Sequence, residues 1–353
     1  MTLRQSIDAL GARALTLLPP ETAHTAALSA LKSGLAAPSA GPADPVLNTA
    51  LAGIDLAHPV GLAAGFDKNA EAPDALLRAG FAFVEAGAVT PRPQAGNPQP
   101  RLFRLRADRA VINRMGFNNE GLEAVKARLA ARLESPDRAP GAVGVNLGAN
   151  KDSEDRAGDY VTLLRALAGL ADFFTLNVSS PNTPGLRGLQ TAEALDGLLE
   201  RVDPERGTAP LLLKIAPDMS EADAEAAADA AVRWRLSGLI VSNTTVERPD
   251  TLKSPHAKQA GGLSGPPLFE RSTALLKRVR RATGPEMAII GVGGVACADT
   301  AYAKIRAGAD AVQLYTALVY EGPGLVARIR DGLAERVKAD GFSSVREAVG
   351  ADL

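Results

Sequence analysis

The sequence predicts a (β/α)8 TIM barrel carrying a small N-terminal helical hairpin, and three observations predict it. Apolar runs rich in β-branched residues recur eight times along the chain. Each is followed by a polar or glycine cluster and then by an amphipathic pattern of helical period. Nearly every run also ends on a polar residue or a glycine: Asn146, Asn177, Lys214, Asn243, Gly293-Gly294 and Tyr315-Thr316, with Lys68 just past the first. The third observation separates the barrel from its alternative, an open doubly wound sheet. A barrel brings the carboxyl ends of many strands to one face, whereas an open sheet concentrates its ligand groups at one switch point.

Residues 1–45 stand outside this alternation. Leu3, Ile7, Leu10, Ala14 and Leu17 recur at helical spacing, and so do Ala27, Leu28, Leu31 and Leu35. Two helices are expected, over roughly 3–18 and 21–36, divided by Pro19-Pro20 and followed by a linker with Pro38, Pro42 and Pro45. The pair reads either as a hairpin packed on the barrel or as one lying in a membrane interface. Residues 46–353 form the barrel domain. Its strands are VGLAAG (60–65), FAFVEAGAV (81–89), GAVGVNLG (141–148), FFTLNVS (173–179), PLLLKIA (210–216), GLIVSNT (238–244), MAIIGVGG (287–294) and AVQLYT (311–316). Helical patterns lie between them at 119–133, 156–170, 191–201, 220–235, 268–282 and 299–307. Thr191 and Ser220 are placed to cap two of these helices, and Gly308 to end another.

Composition narrows the function. At 46% apolar residues over 353 positions the chain can bury a large core, and a formal charge of −1 gives no footprint for nucleic acid. One cysteine, Cys297, excludes a disulfide framework or a cysteine-held cluster within the chain, and His24, His58 and His256 lack metal-ligand spacing, so no metal is expected. No apolar run reaches the ~20 residues a membrane span needs. Ala14–Leu18, interrupted by Thr16, is too short for the core of a secretory signal.

The strand ends carry the chemistry. GVGG (291–294) offers backbone N–H groups unobstructed by side chains, and Tyr315-Thr316 follows the eighth run. In barrels these two loops commonly hold a phosphate, so a phosphate-bearing cofactor is the expected ligand, the alternative being a tight turn. GGLSG (261–265) adds a second glycine-rich loop. Lys214, within LLLKI, points inward by strand alternation, and Lys68 lies in FDKN. Such lysines bind anions and electron-rich rings or form Schiff bases, so an aldolase-like lyase using Lys214 is the competing function. Asn113, Asn118, Asn146, Asn177, Asn182 and Asn243 gather at the same rim. Planar amides that both donate and accept suit a heterocycle with alternating C=O and N–H groups. The stretch NVSSPNTPGLRGLQ (177–190) is crowded with hydroxyls and amides but holds no acid, histidine or cysteine.

AAGFDKNA (63–70), TPRPQAGNPQPRLFRL (90–105), INRMGFNN (112–119), NVSSPNTPGLRGLQ, GGLSGPPL (261–268), IIGVGGV (289–295) and VQLYTALVY (312–320) resemble dihydroorotate dehydrogenases over essentially the whole chain. The class 2, quinone-dependent, membrane-associated form is the most similar. The resemblance implies oxidation of dihydroorotate to orotate, the fourth step of pyrimidine biosynthesis, with one FMN per chain and ubiquinone or menaquinone as acceptor. Ser180 matches the family's catalytic base, which takes the proton from C5 while the hydride of C6 goes to flavin N5. Soluble class 1 members carry cysteine at that position. The resemblance places the FMN phosphate at Gly265, Gly294, Tyr315 and Thr316, and lines the flavin with Ala64, Gly65, Phe66, Asp67, Lys68, Ala88, Asn146, Asn177, Lys214 and Ser242. It assigns Lys68, Asn113, Arg114, Met115, Gly116, Phe117, Asn177, Asn182, Asn243 and Thr244 to the substrate, and His24, Arg104 and Tyr315 to the quinone. Ala88 and Ser242 stand where relatives often carry threonine, which puts those two flavin contacts in doubt. Pro184, Gly185 and Gly188 bracket a lid over the substrate. A monomer held peripherally at the cytoplasmic side of a bacterial inner membrane through residues 1–45 is expected.

Overall fold

The computed structural model describes residues 11, 12, 14–34 and 41–353. Each of the eight predicted runs contains one strand of a closed parallel barrel. In chain order these are β3 (Val60–Leu62), β4 (Phe83–Val89), β7 (Ala142–Leu147), β8 (Phe173–Asn177), β9 (Leu211–Ile215), β10 (Gly238–Val241), β12 (Ala288–Val292) and β13 (Ala311–Leu314). Pairing of β13 with β3 closes the ring. The runs are continuous rather than alternating because barrel strands are covered on both faces. Leu163, Leu198, Ala227, Leu276, Ile305 and Ile329 belong to the outer core between strands and helices.

The barrel interior is divided along its axis. Its floor is apolar, built from Phe83, Phe173, Leu212, Ile240 and Ile290. The Phe83 and Phe173 rings meet edge to face at 6.3 Å. Gly61 and Gly144 make room for them, since a Cβ there would fall 2.3 Å and 2.1 Å from ring carbons. A short hairpin, β1 (Thr49–Leu51) with β2 (Ile54–Leu56), plugs the floor with Leu51 and Leu56. The upper half is polar, with Glu85, Asn146, Asn177, Lys214 and Gln313 all buried there. The fold therefore isolates a polar chamber above a dry plug.

Two features beyond the predicted runs shape the mouth of that chamber. An antiparallel sheet of β5 (Leu102–Leu105), β6 (Ala110–Asn113) and β11 (Gly262–Ser264) stands beside the strand ends. Helix Pro20–Lys32 packs on it. This helix answers to the expected 21–36, with residues 35–40 outside the described ones. Most of the expected helix 3–18 also lies outside them, although residues 14 and 15 are helical. Leu28 and Leu31 join the main core, Lys32 pairs with Glu71 at 2.9 Å, and Glu21 pairs with Arg101 at 2.9 Å. The packed reading of the hairpin therefore describes its second helix. Among the described residues no helix is long and apolar enough to cross a membrane.

The caps divide as well. Ser220 Oγ accepts from the Asp223 N–H at 3.1 Å, as a cap should. Thr191 occupies the cap position, but its hydroxyl donates to the Gly188 carbonyl at 3.2 Å. The short 3-10 helix Leu186–Gln190 that precedes it presents that acceptor first. Gly308, at φ +111°, follows helix Ala298–Arg306 in a conformation that favours glycine.

Candidate active site

A cavity of about 600 Å³ runs from the strand ends to the N-terminal helix. Its middle is held by a file of amides. Asn243 Nδ2 donates to Asn177 Oδ1 (3.3 Å), Asn177 Nδ2 to Asn146 Oδ1 (2.8 Å), and Asn146 Nδ2 to Glu85 Oε1 (2.7 Å). The Glu85 carboxyl accepts at the foot of the file, which sets the direction of the amides above it. Its second oxygen accepts from Gln313 Nε2 at 2.9 Å and lies 4.0 Å from the Lys214 ammonium. Lys214 thus has a buried carboxyl group at its back and lines the cavity. Gln313 Oε1 and Asn118 Oδ1 are buried without a partner, on residues that line the same cavity. Buried acceptors of this kind call for a donor.

Tyr160 locks the file from behind. Its buried hydroxyl donates to the Asn177 carbonyl at 2.9 Å, and burial pushes its ionisation up, so it remains a donor. Tyr160→Phe leaves that carbonyl short of a partner and is expected to cost about 1–2 kcal/mol. Urea unfolding checks this, and a midpoint identical to wild type would contradict it.

One end of the cavity is a glycine cradle. Gly265 and Gly294 have φ of +100° and +77°. A Cβ on Gly265 would lie 2.9 Å from the Arg109 carbonyl, and one on Gly294 would lie 2.5 Å from Phe269 Cβ. Thr316 Oγ1 donates to Ser264 Oγ at 2.8 Å, tying the two loops together. Exposed N–H groups in such a turn suit an anion.

Ser180 sits over the middle, 5% exposed. Its Oγ accepts from the Asn182 N–H at 3.3 Å, and no acceptor among the described residues takes its hydrogen. Asn182 Nδ2 reaches Asn113 Oδ1 at 3.3 Å. The loop is latched by Arg187, which donates to the Ser179 and Thr244 carbonyls and pairs with Asp218 at 2.9 Å. Lys68 is half-buried beside these groups. Burial, with Arg101 adding to it and Glu21 opposing, brings its ammonium down to about 8.

The other end is aromatic and apolar. The His24 ring meets Phe66 edge-on at 5.2 Å, and Phe66 meets Tyr315 at 5.5 Å, a file from the N-terminal helix to the glycine cradle. Burial first, and Lys68 second, push the His24 imidazole down to about 4, so it is neutral at physiological pH. Arg104 donates to the carbonyls of Leu15 and Leu18, and Arg106 to that of Thr16. Arg101 instead holds Glu21 and the carbonyls of Ala95 and Asn97.

Most of the residues singled out in the sequence line this one cavity: His24, Ala64, Gly65, Phe66, Lys68, Ala88, Arg104, Asn113, Met115, Gly116, Phe117, Asn177, Ser180, Asn182, Lys214, Ser242, Asn243, Thr244, Gly265, Gly294, Tyr315 and Thr316. Three of the residues assigned to cofactor, substrate or quinone do not line it, nor do Pro184, Gly185 and Gly188 of the expected lid. Arg114 turns outward over the Phe103 ring, at 4.7 Å, and donates to Gln259 Oε1 and Pro100 O. Asp67 is buried and accepts from the N–H groups of Glu71 and Ala72, shaping the loop that presents Lys68. Asn146 lies one layer below, as a link in the amide file. Glu85 and Gln313 were not singled out in the sequence. Their signal is a lone polar side chain inside an apolar run, in FAFVEAGAV and AVQLYT.

Comparisons with known proteins agree with this geometry. The family model described as dihydroorotate dehydrogenase matches residues 46–337. A protein of Parvibaculum lavamentivorans named dihydroorotate dehydrogenase (quinone) is 54% identical over 341 residues, 96% of this chain and 97% of that one. A protein of the same name from Cereibacter sphaeroides is 57% identical over 342 residues, 96% of this chain and 95% of that one. A crystal structure of DHODH from Eimeria tenella in complex with ferulenol superposes with a TM-score of 0.91 at 38% identity, covering 95% of this chain and 96% of that chain. Both the closed barrel and the extent of these matches lead to one conclusion: this chain is an enzyme of the dihydroorotate dehydrogenase family.

Proposed function

We propose that the protein oxidises dihydroorotate to orotate in pyrimidine biosynthesis, with FMN as cofactor and a quinone as electron acceptor. The observation that carries this reading is the single cavity with three unlike compartments: a glycine cradle, an amide-lined middle under Ser180, and an apolar mouth under the N-terminal helix. The cradle at Gly265 and Gly294, with Tyr315 and Thr316, fits the phosphate of FMN. Ala64, Gly65, Phe66, Ala88, Asn177, Lys214 and Ser242 fit its ring, where the unpartnered Gln313 Oε1 awaits a donor. Bound FMN supplies the acceptor for the hydride leaving C6.

The chain's own residues do the rest. Asn113, Asn182, Asn243 and Thr244 meet the ring amides of the substrate, and Lys68 meets its carboxylate. Ser180 Oγ takes the C5 proton as general base. A hydroxyl is a weak base, so it needs a path to solvent and nearby positive charge. Thr183 Oγ1, buried without a partner three residues on, offers a seat for a bridging water, and Lys68 and the amides stabilise charge developing on the substrate. At the mouth, neutral His24 and Arg104 face a quinone head. Leu17 and Leu18, 78% and 41% exposed at the turn before the helix, suit contact with the cytoplasmic surface of a bacterial inner membrane.

A pH titration tests the carboxylate contact. Lys68 carries its charge below about 8 in the free protein and loses it above. Orotate affinity is therefore expected to be flat below about pH 8 and to weaken above it by up to about tenfold per unit. Lys68→Ala should bind more weakly with no such slope. Titration of the visible band with orotate reads both, and an unchanged wild-type affinity up to about pH 9.5 would refute the contact.

A further inference from the structure

Lys304 is a cation that the chemistry above does not use. It lies on helix Ala298–Arg306, wholly buried, and its ammonium donates to Ser272 Oγ at 2.6 Å and sits 5.2 Å from the centre of the Phe269 ring. No carboxylate among the described residues pairs with it. Burial brings the amine down to about 7, opposed only by exposed Glu270 at the start of helix Phe269–Thr283. Several charged groups on the elements around it have partners of their own: Arg271 pairs with Glu247, and Arg278 with Glu221 and Glu225. Arg280 pairs with Asp310, Arg306 with Asp340 and Asp352, and Arg336 with Asp299. An unpaired buried charge is costly and calls for an anion.

One polar route from this ammonium leads to the cavity, although Ser272 Oγ also has the Phe269 carbonyl as an acceptor at 3.1 Å. Ser272 Oγ, which receives it, reaches the Gly293 carbonyl at 3.2 Å. Gly293, at φ +103°, packs so closely that a Cβ would lie 2.7 Å from that hydroxyl. Gly293 and Gly294 line the cavity at its cradle end, while Lys304 does not reach it.

We propose that Lys304, acting through Ser272, is a positioning residue for the cofactor phosphate, a buried counter-charge held one hydroxyl behind the glycine turn. This rests on the FMN reading above. A phosphate dianion in the cradle favours the protonated amine, so binding above neutrality draws one proton from the buffer onto Lys304. The FMN phosphate, with a second ionisation near about 6, stays dianionic over that range.

The test uses the full chain loaded with FMN, and with riboflavin, which lacks the phosphate. Dissociation constants are read from the fluorescence of released flavin on dilution. Lys304→Met is expected to raise the FMN constant at least about tenfold and the riboflavin constant less than about twofold. Ser272→Ala should shift FMN in the same direction by less. For wild type the FMN constant should rise with pH between about 7 and 9, a slope that Lys304→Met abolishes. Thermal unfolding of the variants verifies the fold, which an apolar side chain of similar length should preserve. Equal losses for both flavins, or an unchanged slope in Lys304→Met, overturn the proposal. Wild-type protein that binds neither flavin overturns the cofactor reading itself. Wild-type protein that binds FMN no better than Lys304→Met overturns only the role of Lys304.

Discussion

Ser180→Ala is expected to slow the bleaching of the visible flavin band by dihydroorotate by about 10²–10⁴-fold, the usual worth of a positioned general base. Orotate should still bind within a few-fold of wild type. The separation follows from the geometry. Ser180 Oγ shapes its loop only through one long hydrogen bond from the Asn182 N–H, whereas Arg187 latches the loop independently. The loop should survive without the hydroxyl, and the proton acceptor should not. Stopped-flow absorbance at about pH 8 makes the comparison. Near-normal bleaching in the variant would remove Ser180 from the role of base.

Deleting residues 1–40 should produce the opposite pattern. FMN should stay bound and dihydroorotate should still bleach it, while quinone-coupled turnover falls by more than about tenfold. That requires the loss of only about 1.4 kcal/mol of site contacts. The deletion removes His24 from the aromatic file and Leu31 from the cavity wall. It leaves Gly41, whose carbonyl accepts from Arg330 at 2.7 Å, and Arg101 keeps its bonds to Ala95 and Asn97. Steady-state kinetics with a soluble quinone, together with vesicle flotation, read the result. Unchanged quinone kinetics and unchanged partition would contradict the assignment of the hairpin.

The barrel was legible because a strand covered on both faces leaves a continuous apolar run, and nearly every run here ends on a polar or glycine group that the site needs. LLLKI and FFTLN state both facts at once. The side sheet was not legible. LFRL and AVIN are short and mixed, and what pairs them with residues 262–264 is tertiary contact, not periodicity. Glu85 and Gln313 escaped notice for a related reason. In a sequence they look like interruptions of FAFVEAGAV and AVQLYT, and only barrel closure brings them to the foot of the amide file. Arg114 shows the converse case. Its neighbours Asn113 and Met115 line the cavity, but in a strand-like segment successive side chains alternate, and Arg114 takes the outward face. Thr191 fell to local competition, its hydroxyl satisfied by the turn before its own helix.

The most direct measurement is the visible spectrum of the purified protein, taken before and after anaerobic addition of dihydroorotate. A yellow protein whose band bleaches with dihydroorotate and returns with quinone is the predicted result. A colourless protein that takes up no FMN, or a yellow one that dihydroorotate leaves unchanged, would contradict the assignment of this cavity.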